Sequence, residues 1–432
     1  MPLSVSHFVL RAKQLEIESV RHLAGRVELA DVIGQLIHAL QRERGASSIY
    51  LASGGQRFLT ERQEAMDKAR PIEAALRTLF EQQLQAEQGA SARTLSLMAW
   101  ALLGLDALAD LRQQIGQQQT SAREAVAAFS RLIAGLVELV FHVADAAQHP
   151  GISRLLVAFV HLVQGKEAAG QERAVGAQLF ASGVNDEAEQ QRVVHLIDAQ
   201  ERCLRVFDEF AEPDLRTQWQ QHQLTPNVAQ LERLRRMLCM AKPGARLDTA
   251  LSDTWFEVAS ARVSEMARVQ VALVQCLRQA CQTQIQAAEQ DLQESEGLLQ
   301  QLRDNPPPHS HAVDRFFSAQ EAPHAAPALA TPDQPSVSSL IDLLQAQSTR
   351  LASMESELES ARRALHERKL IERAKGALMA RMGLSEEAAF RALQKASMDH
   401  NRRLVDVAEA TLALPDFAFG DATPAGGGKS AN

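Results

Sequence analysis

The sequence predicts an all-α protein. Ala, Leu, Gln, Glu and Arg dominate the 432 residues, β-branched residues are sparse, and apolar positions recur at helical spacing. The 46% hydrophobic and 4% aromatic content fits a chain long enough for two or three domains. No run approaches the roughly eighteen uninterrupted apolar residues of a membrane span, and the N-terminus lacks the apolar block of a signal peptide. We therefore expect a soluble, cytoplasmic protein with no membrane partner.

Long amphipathic helices fill residues 1–302. Turn signals rich in Gly, Pro and Ser interrupt them, and these signals predict helix ends at residues 53–55, 148–151, 182–183, 225–226 and 243–244. This pattern predicts one or two helical bundles over the whole region.

Residues 303–336 are predicted to form a flexible linker, because seven of the fifteen prolines lie there. After the linker, a leucine recurs every seven residues, at Leu344, Leu351, Leu358 and Leu365. This spacing predicts a short coiled-coil helix, which either forms a homodimer seam or packs within its own chain. Residues 415–432, which include a Gly-Gly-Gly run, are predicted to be disordered.

The coiled-coil helix and a small three-helix module occupy residues 337–414. Gly383 is the predicted end of the first helix, Ser385 the N-cap of the second, and Asp399 or Asn401 the start of the third. The residues predicted to face a shared core are Leu370, Ala374, Ala377, Leu378, Met382, Phe390, Leu393, Leu404, Val407, Ala408 and Leu412.

This module is basic inside an acidic chain. Between Ala361 and Arg403, eleven basic residues stand against five acidic ones, whereas the whole chain has a formal net charge of −8. The local excess predicts a polyanion partner, and a solvated helical surface is the alternative. Phe390 is the only aromatic residue here, so we expect recognition through phosphate contacts and loop-base hydrogen bonds, without an aromatic stacking platform.

The stretch RKLIERAKGALMARMGLSEEAAFRALQKASMDHNRRLVDVAEATL, residues 368–412, closely resembles the ANTAR domain. That family is a three-helix module which binds RNA hairpins in transcription antitermination regulators. The resemblance implies leader-RNA hairpins as the partner of this module. The candidate RNA-binding residues are Arg368, Lys369, Lys375, Arg381, Asn401, Arg402 and Arg403.

A short internal repeat marks the N-terminal region. ERGASSIYLASG at residues 43–54 aligns without gaps to ERAVGAQLFASG at residues 172–183, with five of twelve positions identical. Arg44 and Arg173 occupy helix positions where the pattern calls for an apolar residue, and small residues follow each of them. A buried arginine requires a carboxylate or an anionic ligand. Core salt bridges, with Glu43 and Glu172 as candidate acids, and an anion site therefore both remain open.

The region also resembles a known sensor family. QLIHALQRERGASSIYLASGG, residues 35–55, resembles the first signature of the nitrate- and nitrite-sensing NIT domain, and residues 166–183 resemble its second. The resemblance implies that arginines hold the anion, one near the ERG motif and one on a late helix. Arg44 matches the first of these. The planar guanidinium fork also suits a planar anion with three oxygens.

The late helix offers three arginines in LERLRRMLC, residues 231–239. The spacing of its leucines puts Arg235 nearest the apolar face, with Arg236 next, and a shifted register would favour Arg233 instead. The candidate anion-binding residues are Arg44, Arg173, Arg235 and Arg236.

Together the resemblances imply a nitrate- or nitrite-responsive transcription antiterminator, with the anion as effector and no cofactor. Without the anion, the sensor is expected to cover the basic surface of the ANTAR module. The alternatives are a helical signalling protein with another small-molecule ligand, and a protein–protein interaction regulator whose arginines are structural.

No catalytic motif is recognisable, so we do not expect an enzyme. A metal site is not expected either. The cysteines lack a C-x-x-C spacing and are predicted to be buried hydrophobes, and the histidines near the linker lack supporting ligands. These residues are Cys203, Cys239, Cys276, Cys281, His309, His311 and His324.

Overall fold

The computed structural model describes residues 5–84, 91–145, 147, 149–304, 338–384 and 386–413. Every regular element in these ranges is an α-helix, and the one isolated β-bridge they contain joins Val184 to Arg246. The all-α prediction is therefore confirmed. In chain order the helices are α1 (Val5–Ala52), α2 (Leu59–Gln83), α3 (Ala92–Gly116), α4 (Ala122–Asp145), α5 (Pro150–Ser182), α6 (Glu187–Phe210), α7 (Pro213–Gln223), α8 (Pro226–Met240), α9 (Leu251–Asp304), α10 (Ser338–Met382), α11 (Glu386–Asp399) and α12 (Leu404–Ala413).

Helix ends fall at the predicted turn signals. Helix α1 stops before Gly54 and helix α5 before Gly183, whose φ angles are 61° and 70°. This left-handed region suits glycine, which has no Cβ to clash. Helices α5 and α8 begin at Pro150 and Pro226. Proline suits a first helical turn, where the missing N–H has no intrahelical partner.

The chain divides into two compact units that do not follow its order. Unit 1 comprises Met1–Gln164, Val206–Gln220 and Glu265–Glu359, and unit 2 comprises Gly165–Arg205, Gln221–Ser264 and Ser360–Asn432. Helices α5, α6, α7, α9 and α10 therefore contribute residues to both units. The linker and tail predicted at residues 303–336 and 415–432, together with His309, His311 and His324, lie outside the described residues apart from the end of α9.

Unit 1 contains a four-helix bundle. Helix α1 packs against α2 and α4, and α3 packs against α4. Its core includes Ile33, Leu36, Leu76, Phe129 and Leu136, all fully buried. Because each of these helices presents an apolar stripe that it cannot bury alone, the bundle is the arrangement that removes all four from water.

Helices α3 and α4 are the two described helices long and apolar enough to cross a membrane by length and composition. Core helices of soluble proteins pass the same test. Helix α4 buries Phe129, Leu132, Ile133, Leu136 and further side chains inside the bundle. Its apolar character is therefore accounted for by packing.

Unit 2 has a core made by α5, α6, α8 and the start of α9. Trp255 is completely buried at its centre and packs against Phe180 with a ring separation of 5.7 Å. A Cβ on Gly176 would lie 2.2 Å from the indole. The absence of a side chain at Gly176 therefore makes room for the indole of Trp255.

The C-terminal three-helix core also belongs to unit 2. Ala374, Leu378, Ala389, Leu393 and Ala408 are buried together. Gly383, at φ 64°, ends α10 as predicted. Two details of the prediction are wrong: the third helix begins at Leu404, and Met382 is 46% exposed. The side chain of Ser385, the predicted N-cap, lies outside the described residues.

The structure describes the side chains of two of the four heptad leucines. Leu358 and Leu365 are buried within the single chain, which favours intrachain packing for this part of the heptad. The side chains of Leu344 and Leu351 lie outside the described residues.

The cysteines were predicted to be buried, and this is only half correct. Cys203 and Cys281 are buried and Cys276 is half-buried, but Cys239 is exposed.

Candidate anion-sensing site and RNA-binding module

Arg44 lies inside unit 1, as its position on the apolar face of α1 predicts. Only 3% of the residue is exposed, and its Nη1 donates a hydrogen bond to Ser130 Oγ on α4 at 2.9 Å. The hydroxyl is a neutral acceptor, so this contact orients the guanidinium without adding negative charge.

Glu43, the neighbour of Arg44, is fully buried and forms a salt bridge with Arg112 of α3. Arg112 donates from Nε and Nη2 to the two carboxylate oxygens at 2.8 and 2.7 Å, and it also binds Glu73 of α2 at 2.6 Å. Burial lowers the pKa of Arg112, but the two carboxylates outweigh burial and raise it. The core salt bridge considered from the sequence therefore exists at Glu43, and Arg112 is a base that binds it.

The equivalent carboxylate in unit 2, Glu172, pairs with Arg235. The Arg235 Nε and Nη2 atoms donate to the two oxygens of Glu172 at 2.7 and 2.6 Å, and Nη1 donates to Glu232 at 2.7 Å. Burial opposes the charge, but the carboxylates of Glu172 and Glu232 raise the pKa of Arg235 above its usual value. Arg235 therefore faces inward as predicted. Arg236 and Arg233 are exposed on the same helix.

Arg173 is half-buried on α5. Its Nη1 donates to Ser260 Oγ on α9 at 3.1 Å, and its guanidinium lies 4.8 Å from the ring centre of Phe256, one helical turn before Ser260. A cation over an aromatic face is attracted by the ring quadrupole. The serine and the phenylalanine together fix the position of the guanidinium.

Sequence reasoning missed Gln200 and Arg262, which join the Glu172–Arg235 pair. Gln200, on α6, is buried; its amide nitrogen donates to Glu172 and its oxygen accepts from Arg235 at 3.0 Å and from Arg262 at 3.4 Å. Burial, with the positive charge of Arg235 as the next cause, lowers the pKa of Arg262 to about 10. No local signal in the sequence distinguishes Arg262 from the other arginines of α9.

The ANTAR-like module contacts α6 within unit 2. Phe390 of α11 is 6% exposed; the guanidinium of Arg202 lies 4.3 Å from its ring centre, and the His195 ring meets it edge-on at 5.5 Å. Arg368 of α10 reaches the Cys203 sulfur at 3.9 Å. The single aromatic residue of the module is thus enclosed by a helix of the sensor region.

The candidate RNA-binding residues fall into two groups. Arg381, Asn401, Arg402 and Arg403 are exposed, and Asn401 has a φ of 48° in the turn before α12. Lys369 is half-buried.

Arg368 and Lys375 are less accessible. Lys375 binds Glu372 at 2.9 Å and Glu386 at 2.7 Å. Although burial lowers the pKa of Lys375, the two carboxylates raise it. Its ammonium group ties α10 to the start of α11 and is not presented to solvent in this conformation.

Comparisons with known proteins agree with this geometry. A family model described as nitrate and nitrite sensing, NIT, matches residues 35–278, and the ANTAR domain model matches residues 359–412. The Nitrate regulatory protein of Klebsiella oxytoca is 33% identical over 405 residues, an alignment that covers 94% of this chain and 93% of that protein. Transcriptional regulatory protein PdtaR of Mycobacterium tuberculosis (strain ATCC 25618 / H37Rv) is 36% identical over 80 residues, covering 18% of this chain and 39% of that protein.

One solved structure, described as the NasR transcription antiterminator, is similar with a TM-score of 0.59 and 30% sequence identity. It covers 94% of this chain and 98% of its own. The similarity therefore includes both the sensor region and the ANTAR module.

Proposed function

The chain belongs to the family of nitrate-responsive transcription antitermination regulators that join a NIT sensor to an ANTAR module, and from this premise we propose how its residues perform the task. Nitrate or nitrite binds the sensor, with Arg44 in unit 1 and Arg173 in unit 2 as the candidate anion contacts and Arg235 as a supporting residue. Binding releases the ANTAR module, which then contacts leader-RNA hairpins. Arg236, being exposed, is left out of the proposed site.

The arginines of this site have different parts. Arg44 and Arg173 each donate an N–H to a serine hydroxyl, which orients the guanidinium, and we assign these two guanidinium groups the contact with the planar anion. Arg235 donates hydrogen bonds to Glu172, Glu232 and Gln200. We therefore assign Arg235 the part of fixing Glu172, the residue that precedes Arg173.

The contact of the ANTAR module with α6 supports autoinhibition. Phe390 lies between Arg202 and His195, and Arg368, a candidate RNA contact, lies against Cys203. A module held in this way presents only part of its basic surface. The burial of Phe390 against α6 is the observation on which we base the proposal that the sensor covers the RNA-binding surface.

Docking places the guanidinium of Arg202 in a partly buried position. Burial is the largest cause that lowers the pKa of Arg202; the carboxylates of Asp198 and Glu372 raise it, and the positive charge of Arg368 lowers it. The removal of this cation from water therefore offsets part of the free energy gained from the docking contacts. A modest change in the sensor is then enough to shift the equilibrium.

Helix α6 connects the anion site to the docked module. Gln200 contacts Glu172, Arg235 and Arg262 on one face. Arg202 lies two residues later, about 200° around a helix of 100° per residue, and holds Phe390 on the other face. A displacement of Glu172 on anion binding is therefore passed through Gln200 to the helix that retains the module.

On release, we propose that Arg381, Asn401, Arg402 and Arg403 contact the RNA together with Arg368 and Lys369, while Lys375 keeps its internal salt bridges. The exposed cations supply phosphate contacts, and Asn401 supplies hydrogen bonds to loop bases. We further propose that the protein acts in the cytoplasm, where the leader transcript is made, and that the heptad helix forms a homodimer seam in the released state.

Removal of the Arg202 side chain is expected to expose the module without nitrate. Arg202→Ala removes the cation–π contact with Phe390, worth about 0.5–1 kcal/mol, so RNA affinity in the absence of nitrate rises by roughly two- to fivefold. Fluorescence anisotropy with a labelled hairpin measures this change. Arg205→Ala, an exposed arginine on the same helix, is the matched control and leaves affinity unaltered. Equal nitrate-free affinities for both variants and the unaltered protein would contradict autoinhibition through α6.

A further inference from the structure

The two halves of the sensor repeat one set of contacts. In the first, Glu43 binds an arginine from another helix while Arg44 Nη1 donates to Ser130 Oγ at 2.9 Å. In the second, Glu172 binds Arg235 while Arg173 Nη1 donates to Ser260 Oγ at 3.1 Å. The arginine and its serine are 86 residues apart in one half and 87 in the other. The two halves therefore repeat a set of contacts between distant residues, and the short sequence match covers only the helix that carries the glutamate and the arginine.

The matching contacts continue to the end of each helix. Ser53 Oγ donates to the carbonyl of Tyr50 three residues earlier, and Ser182 Oγ donates to the carbonyl of Leu179. A glycine with positive φ follows each serine, Gly54 and Gly183. The adjacent residues Glu43 and Arg44 therefore lie as many residues before Gly54 as Glu172 and Arg173 lie before Gly183.

Ser130 and Ser260 occupy equivalent places opposite these pairs. Both are half-buried, and they lie on α4 and α9. Neither serine was indicated by local sequence. A serine hydroxyl accepts one N–H of the guanidinium and holds it in one orientation, which reduces the entropy lost when an anion binds.

We propose that Ser130 and Ser260 are positioning residues of the anion sensor, each acting through the arginine that it binds. This inference rests on the proposed function of Arg44 and Arg173. In each half, the glutamate fixes the helix through a charged partner and the serine aims the neighbouring guanidinium. The sensor thus uses one duplicated Glu–Arg–Ser unit in both halves.

Titration calorimetry of the full-length protein with sodium nitrate tests the inference. Ser130→Ala and Ser260→Ala are each expected to raise the Kd for nitrate about three- to tenfold, because a hydrogen bond to a charged group orients the binding cation. Ser130→Thr and Ser260→Thr keep the hydroxyl and stay within about twofold of the unaltered protein. Ser96→Ala, at an exposed serine on α3, is the matched control and leaves the Kd unchanged.

A double-mutant cycle separates positioning from a general effect on folding. If Ser130 acts through Arg44, then Ser130→Ala raises the Kd for nitrate little further in an Arg44→Lys background. If the two residues act independently, the free-energy changes of the two substitutions add. Additive effects, or alanine variants that bind nitrate as tightly as the Ser96→Ala control, overturn the inference while leaving the sensor function intact. Absence of nitrate binding by the unaltered protein overturns the proposed function and this inference together.

Discussion

An Arg44→Ala variant is expected to lose the nitrate response. Arg44 is buried and held by Ser130, so its guanidinium is already ordered when the anion binds. The loss of charge-assisted hydrogen bonds worth about 3 kcal/mol or more weakens nitrate binding by more than roughly a hundredfold. RNA binding then stays at its nitrate-free value when nitrate is added.

The experiment measures hairpin affinity by fluorescence anisotropy across a nitrate titration, with circular dichroism to confirm helical content. Arg42→Ala changes an exposed arginine on the same helix, and that variant should respond like the unaltered protein. Arg44→Lys keeps the charge but not the planar fork, so its nitrate response should be intermediate. Full nitrate-dependent RNA binding by Arg44→Ala would show that the anion site is elsewhere.

The second large effect is expected at Arg235 and concerns stability. Removing this side chain leaves the Glu172 carboxylate buried without the base that binds both of its oxygens. Breaking one partner of a buried pair costs about 3–5 kcal/mol, so Arg235→Ala should lower the free energy of unfolding by that amount. Urea denaturation followed by circular dichroism measures the change.

Arg233→Ala is the matched control, because Arg233 is exposed on the same helix, and its effect should stay within about 0.5 kcal/mol. Replacing both members of the pair, as Glu172→Met with Arg235→Met, should recover much of the lost stability, since no charge then remains buried. An Arg235→Ala variant as stable as Arg233→Ala would mean that Arg235 has no structural part in the site.

Much of the fold could be predicted because its signals are local. Glycine and proline mark the ends of α1 and α5 and the starts of α5 and α8, and each acts through its own backbone geometry. The inward orientation of Arg235 followed from the spacing of its neighbouring leucines. Such features depend on a few adjacent residues, and the sequence contains them directly.

The partners within the site could not be predicted, because they come from distant parts of the chain. Arg112 reaches Glu43 across 69 residues, and Arg235 reaches Glu172 across 63. Many other charged residues lie in the same helices, and nothing in their local sequence makes them less suitable as partners. The choice among them depends on how the bundles pack, and the internal sequence match extends to neither Ser130 nor Ser260.

Which cations of the basic module are exposed could not be predicted from the sequence either. Its charge excess predicts a polyanion partner, but charge counting treats every cation alike. Lys375 is committed to Glu372 and Glu386, and Arg368 lies against Cys203 of another helix. Only the packing of the three helices and their contact with α6 separates these residues from the exposed Arg381 and Arg402.

Hairpin-RNA affinity of the full-length protein with and without nitrate tests the central claim most directly. Chloride at equal ionic strength is the control, because affinity for RNA falls with salt whatever the anion. The account predicts that nitrate raises affinity while chloride does not, as the anion frees the module from α6. RNA binding that is equal in nitrate and chloride would contradict it.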